Sequence, residues 1–146
     1  MSGQLRVLIT GSRTWTDEAT IHNALLAAWT EAIEADYDGI TVIHGGAAGA
    51  DTIAARWADQ NRRDGVGVEC HDADWAGPCA ADCPPGHRRK QGSREWCPLA
   101  GHRRNQAMVD SGPAFVCAFS VGNSTGTADC VRRAKAAGLL VRKWTA

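Results

Sequence analysis

The sequence predicts an α/β protein built on a doubly wound, parallel, five-stranded sheet flanked by helices. Three observations carry that expectation. Short apolar runs alternate along the chain with stretches of helical periodicity, glycine-rich turns close three of those runs, and each such turn opens into a segment with helix-start chemistry. Parallel neighbours need a crossover helix between them, so the alternation reads as repeated strand–helix units.

Residues 5–10, LRVLIT, form an apolar run ending at Gly11, the pattern of a buried parallel strand feeding a turn. A helix follows. Thr16 is a suitable N-cap, Asp17 and Glu18 suit the positive end of the helix dipole, and Ile21, Leu25, Ala28 and Ala32 repeat at helical spacing to about Ala35. ITVIH at 40–44 reads as the second strand, followed by GGAAGAD and a helix with Ala50, Ile53, Ala54 and Trp57 on its apolar stripe. Val66, Val68 and Cys70 alternate as a third strand. AFVCAF at 114–119 and LLV at 139–141 supply the fourth and fifth, with helices before and after the fourth.

At 146 residues and 44% hydrophobic content, the chain is expected to be one domain, residues 1–146, with a proper core. Sixteen Lys plus Arg balance sixteen Asp plus Glu, which excludes a global electrostatic footprint for nucleic acid or an anionic membrane. MSGQLRVLIT is too short an apolar run for a signal peptide, and nowhere do eighteen apolar residues run together, so a cytoplasmic location is expected. Without an export signal, the six cysteines point to reduced thiols or a metal rather than disulfides. Cys70, Cys117 and Cys130 fall in apolar segments and read as small buried hydrophobes.

In an open parallel sheet, ligands bind beyond the carboxyl ends of the strands. GSRTW at 11–15, HGGAAGAD at 44–51 and GNSTGTAD at 122–129 all fall there. Glycines at such turns let backbone N–H groups face an anion, and the helix N-terminus adds partial positive charge. Gly11, Ser12, Gly45, Gly46, Ala47, Gly49, Gly122 and Gly126 are therefore candidate phosphate contacts. The hydroxyls of Ser124, Thr125 and Thr127 join them, with Arg13 as a charge partner. Each turn alone could instead need only positive φ and tight helix packing; three on one edge favour a ligand.

GSRTW, HGGAAGAD, RNQAM at 104–108 and STGTAD at 124–129 together resemble the SLOG superfamily, the Rossmann-like proteins named after Smf/DprA and the LOG cytokinin-activating enzymes. The likeness is greatest to its short YspA-like branch. It covers nearly the whole chain apart from an insert, and it implies a five-strand Rossmann-like sheet with a pocket for a nucleotide or nucleotide derivative at the second and fourth strand turns. Family members often dimerise through helices, so a homo-oligomer stays open, although no stripe identifies the surface.

LOG-type members are phosphoribohydrolases that use an Arg and a Glu. The spacing of Arg104 and Met108 is similar to that pattern, and it implies that Arg104, with Asn105 beside it, contacts the ligand. The glutamate of the GTxxE pattern falls on Cys130, which cannot do a carboxylate's work at an oxocarbenium-like centre. Asp129 lies about 100° away on the helix and is an imperfect substitute, so Arg104 and Asp129 are the catalytic pair only if the protein is a hydrolase. Asp51 either accepts ribose hydroxyls or compensates its helix dipole; for Asp129 the dipole reading leads. Arg103 reads as a solvated face, Trp15 as half-buried packing in preference to a base platform, and His44 as a satisfied core histidine.

The stretch from Asp72 to Gly101 breaks the strand–helix rhythm as a glycine- and proline-rich insert. A long structureless loop in a compact domain needs something besides apolar packing to hold it. Cys79, Cys83, His87 and Cys97 form a C-x3-C-x3-H-x9-C set suited to structural zinc, with His102 and, more weakly, His71 as alternative ligands. The run His87–Lys90 with Arg94, Arg103 and Arg104 could touch single-stranded nucleic acid, but only Trp96 interleaves an aromatic, and a solvated loop is the better reading. The leading expectation is a module that binds a nucleotide or nucleotide-derived phosphate as sensor or sequestering protein. A nucleoside-monophosphate N-glycosidase and a single-strand binder are the alternatives.

Overall fold

The computed structural model describes residues 3–146. Strand β1 (Gln4–Gly11) is followed by α1 (Glu18–Glu34), β2 (Gly39–His44), α2 (Ala50–Gln60) and β3 (Gly67–Cys70). The insert contributes two short strands, β4 (Arg89–Gln91) and β5 (Arg94–Trp96). After it come α3 (Ala100–Asp110), β6 (Phe115–Ser120), α4 (Thr125–Ala136) and β7 (Leu140–Thr145). Five strands form one parallel sheet in the order β3-β2-β1-β6-β7, the expected doubly wound, Rossmann-like arrangement. Its order reverses between β1 and β6, where Ile9 pairs with Cys117, and the crevice beyond their carboxyl ends is the natural ligand position.

Both faces of the sheet are covered, which is why its strands read as apolar runs. Successive residues take opposite faces. Val7, Ile9, Val42, Cys117 and Phe119 pack with α1 and α2, whereas Leu8, Ile43 and Val116 pack with Met108 of α3 and Cys130 of α4. Full burial of Leu8 or Ile9 contributes about 1.5–3 kcal/mol each. Trp15 belongs to the first layer, edge-on to Phe119.

Several local expectations change. Asp17, not Thr16, caps α1, because its carboxylate accepts the Thr20 N–H at 3.2 Å and the Thr20 hydroxyl at 2.6 Å. β3 is an edge strand, so the alternation of Val66, Val68 and Cys70 does not mark a buried face. Val66 is buried, but Val68 is 50% exposed and Cys70 is exposed rather than a core thiol. Cys117 and Cys130 are buried as expected.

The insert is not structureless. β4 and β5 pair antiparallel across a turn at Gly92, whose φ of +61° favours glycine. Part of the basic run is therefore a hairpin strand, anchored by Arg88 donating to Glu95 at 2.6 Å. Among the described residues, no helix is long and apolar enough to cross a membrane.

Candidate functional site

The turns after β1, β2 and β6 are stitched together at Ser12. Its N–H donates to Phe119 O at 2.8 Å, its hydroxyl accepts the Val121 N–H at 2.8 Å, and its carbonyl accepts the Ala50 N–H at 3.3 Å. Glycines serve this knot sterically. A Cβ at Gly11 would collide with Ala50 and Phe119, and Gly49, at φ +74°, lies against the backbone of Ser12 and Arg13.

A cavity of about 550 Å³ opens over the knot. Gly11, Ser12 and Arg13 line it from the first turn, Ala47 and Asp51 from the second, and Ser124, Thr125, Gly126 and Thr127 from the α4 start. Arg104 and Asn105 of α3 complete this set. The two turns expected to share one hollow do so. Gly45 and Gly46 border a neighbouring hollow with Arg13, Ala47 and Arg104, while Gly122 lines a third, beside Arg132 and Lys143.

The Gly45, Gly46 and Ala47 amides of the second turn are not offered to a ligand as expected. Asp51, only 5% exposed, takes the N–H groups of Gly45 at 2.9 Å and Ala47 at 3.3 Å on Oδ2, and the Gly46 N–H donates to His44 Nδ1 at 3.0 Å. Burial pushes the Asp51 carboxyl up despite these amides, and burial holds His44 below its ordinary value, in keeping with a neutral ring whose Nδ1 accepts. Arg104 donates to the Gly45 carbonyl and, through Nε, to Asn105 Oδ1 at 3.0 Å. Three amides of this turn are thus spent internally, and the turn holds Asp51 at the cavity wall.

At the α4 start no side chain among the described residues captures the amides. Ser124 stands at the N-cap but makes no cap bond with its side chain; its hydroxyl pairs with that of Thr127 at 2.8 Å. The N–H groups of Thr125, Gly126 and Thr127 have no intrahelical acceptor at these positions, so this turn is the electropositive wall of the cavity. Arg13 is exposed at the rim and forms no ion pair among the described residues.

Asp129 lies off the cavity, 3% exposed, accepting from Asn105 Nδ2 at 3.0 Å, Arg133 Nε at 2.9 Å and Arg132 Nη2 at 2.5 Å, with His102 Nδ1 at 4.0 Å. Burial pushes its carboxyl up, but bonds from Arg133 and Asn105 and the nearby cations outweigh this and leave it below its ordinary value. A carboxyl depressed in the folded state stabilises above its unfolded pKa, and that contribution is lost as pH falls through the folded value. Asp129→Asn is therefore expected to cost about 2–3 kcal/mol at pH 7, with the gap from wild type narrowing below about pH 4. Urea unfolding at both pH values checks this. Cys130, where a LOG-type glutamate would stand, is buried between α4 and the sheet, and burial pushes its thiol up to about 11. It is an inert core group.

Within the insert, the ligand atoms of Cys79, Cys83, His87 and Cys97 lie within 4.8 Å of one another. Cys79 Sγ is 3.0 Å and Cys97 Sγ 3.5 Å from His87 Nε2, and Cys83 Sγ is 3.8 Å from Cys97 Sγ. His87 is thus the histidine of the cluster. His102 faces Asp129 instead, and His71 sits 3.0 Å from Glu69. Arg103, expected to be solvated, donates to the sulfurs of Cys83 and Cys97 at 3.4 Å each, and Arg88 donates to Cys79 Sγ at 3.6 Å.

Trp75, Pro98 and His102 also line the large cavity. Sequence reasoning placed none of them there. Trp75 carries no periodic signal, and its position after Val66–Cys70 is the one available clue.

Residues 5–77 match the family described as YspA, cpYpsA-related SLOG, a stretch ending just before the first cluster cysteine. The Gene 61 protein of Mycobacterium phage D29 is 41% identical over 138 residues, covering 93% of each chain. A solved X-ray structure of a protein designated TM1055 superposes with a TM-score of 0.52 at 17% identity, over 93% of this chain and 71% of that one, which is a likeness of fold.

Proposed function

The chain belongs to the YspA, cpYpsA-related SLOG family, and from that premise we propose that it binds a nucleotide or nucleotide-derived phosphate in the cavity over Ser12 without hydrolysing it. The observation that carries this reading is the uncapped first turn of α4, opening on a hollow that also receives Arg13 and Arg104. Free helix N–H groups and guanidinium forks are the chemistry a phosphate needs. Asp51, with one oxygen given to the turn, suits a ribose hydroxyl as acceptor, which orients the ligand with its anionic end at Ser124–Thr127.

A hydrolase would need a carboxylate at the reacting carbon. Asp129 is enclosed by three donors off the cavity, Cys130 is a core thiol, and Asp51 is committed through Oδ2 to the Gly45 and Ala47 amides, so binding is favoured over N-glycosidic cleavage. Calorimetry against nucleoside mono- and diphosphates, cyclic nucleotides and ADP-ribose should find a ligand at about micromolar affinity or tighter, with no base released from AMP. Silence across the panel overturns the reading, and base release abolished by Arg104→Ala overturns its non-catalytic form.

The Cys3His cluster fits structural zinc. With bonds near 2.3 Å to sulfur, a tetrahedral site has ligand–ligand edges of roughly 3.8 Å; the Cys83–Cys97 and Cys97–His87 separations of 3.8 and 3.5 Å are close to that, and Cys79–His87 at 3.0 Å is tighter. Zinc would supply the cross-link for a segment without its own core, and four protein ligands would leave it no open position for catalysis. Arg88 and Arg103, donating to the sulfurs, would offset the negative charge of three thiolates.

A further inference from the structure

We propose that Trp75 is the platform on which the base of the bound nucleotide stacks, and that the Cys/His cluster exists to hold it there. The inference rests on the phosphate-at-α4 reading above and extends it to the other end of the ligand.

Five of the six tryptophans have evident packing partners. Trp15 and Trp57 are buried, Trp29 and Trp144 lean on the same apolar layer, and Trp96 lies under the Arg94 guanidinium. Trp75 belongs to neither apolar layer and pairs with no aromatic ring, yet it is half-buried, and it borders both the large cavity and the adjoining hollow. It is the one Phe, Tyr or Trp on either wall among the described residues. An indole kept partly out of the core beside a polar cavity is suited to a flat apolar partner, and every nucleobase presents a π-face.

The ring is held in place. Its edge rests on Gly101 at the start of α3, where a Cβ would come within 2.9 Å of Cη2 and 3.3 Å of Cζ2, so only glycine allows this approach. Its carbonyl accepts the Cys97 N–H at 2.9 Å, tying it to a cluster cysteine, and Cys79 follows four residues later. Arg88 bonds both Gly77 O at 2.8 Å and Cys79 Sγ, clamping the link between them. Arg103 grips the cluster sulfurs one residue before Arg104 reaches the cavity. The platform and Arg104 at the cavity wall are thereby placed by the same cluster.

The test compares AMP with ribose 5-phosphate, which keeps the phosphate and lacks the base, by calorimetry on the full-length protein as purified. Trp75→Ala should weaken AMP about tenfold or more while changing ribose 5-phosphate by less than about twofold; Trp75→Phe should retain most of the AMP affinity and guards against misfolding. Binding of AMP should quench tryptophan fluorescence in wild type, and the quench should be largely lost in Trp75→Phe. Equal losses for both ligands, or undiminished AMP binding in Trp75→Ala, overturn the platform alone. Wild-type protein that binds neither of these nor any nucleotide of the calorimetry panel overturns the phosphate reading and the platform together.

Discussion

Withdrawing metal from the Cys79, Cys83, His87 and Cys97 cluster is expected to unfold the insert while leaving the five-stranded sheet intact. No residue between 72 and 99 belongs to either apolar layer of the protein, so nothing in the sheet's core depends on this segment. The converse also holds. The hairpin strands are three residues each and largely exposed, too short to persist unaided, whereas structural zinc contributes on the order of 10 kcal/mol to folding in small peptides. Native mass spectrometry should therefore show one zinc per chain, absent from a Cys79→Ser, Cys97→Ser double variant. Hydrogen exchange on the chelated protein should show protection lost over 75–97 and retained in β1, β2 and β6. Trypsin should then cut at Arg88, Arg89, Lys90 or Arg94. A metal-free chain with a fully protected insert would refute the zinc clip.

The strand–helix skeleton was legible because a sheet covered on both faces writes itself as apolar runs, as in LRVLIT and AFVCAF. β3 was legible only as an element. Its alternation places Val68 outward because an edge strand has less to pack against. β4 and β5 left no trace, since RKQ and REW carry no apolar residue besides Trp96 and owe their pairing to the anchors around them. At the site, glycines needed for close packing and glycines open to a ligand look alike in sequence. Gly11 and Gly49 belong to the first kind and Gly126 to the second, and the distinction lies in what surrounds a missing Cβ. Asp51 was ambiguous for a similar reason, because compensating a helix dipole and accepting a ligand hydroxyl ask for the same carboxylate at the same position, and its capture of the Gly45 and Ala47 amides shows only in the fold. The Cys/His cluster was readable because three thiols and an imidazole crowd into a polar loop with no apolar layer to pack into, a set suited to a metal.

Gly126→Asp should separate folding from binding more sharply than any other single change. Gly126 is the second residue of α4, lines the cavity, and would meet no atom within 4 Å if given a Cβ. Replacing glycine by aspartate within a helix recovers only about 0.1–0.3 kcal/mol of propensity, but a carboxylate in the first turn complements the dipole by about 0.3–1 kcal/mol. The variant should therefore melt no lower than wild type. Binding should respond the other way. Two unit charges of like sign about 5 Å apart in an effective dielectric near 20 repel by about 3 kcal/mol, which corresponds to roughly a hundredfold loss of affinity. Gly126→Ala, which takes up room without adding charge, should fall between the two. Because the contact is with phosphate, AMP and ribose 5-phosphate should weaken together in Gly126→Asp, unlike in Trp75→Ala, where the base is the group that loses its partner. Undiminished affinity in a well-folded Gly126→Asp protein would mean that the anion does not sit at the start of α4.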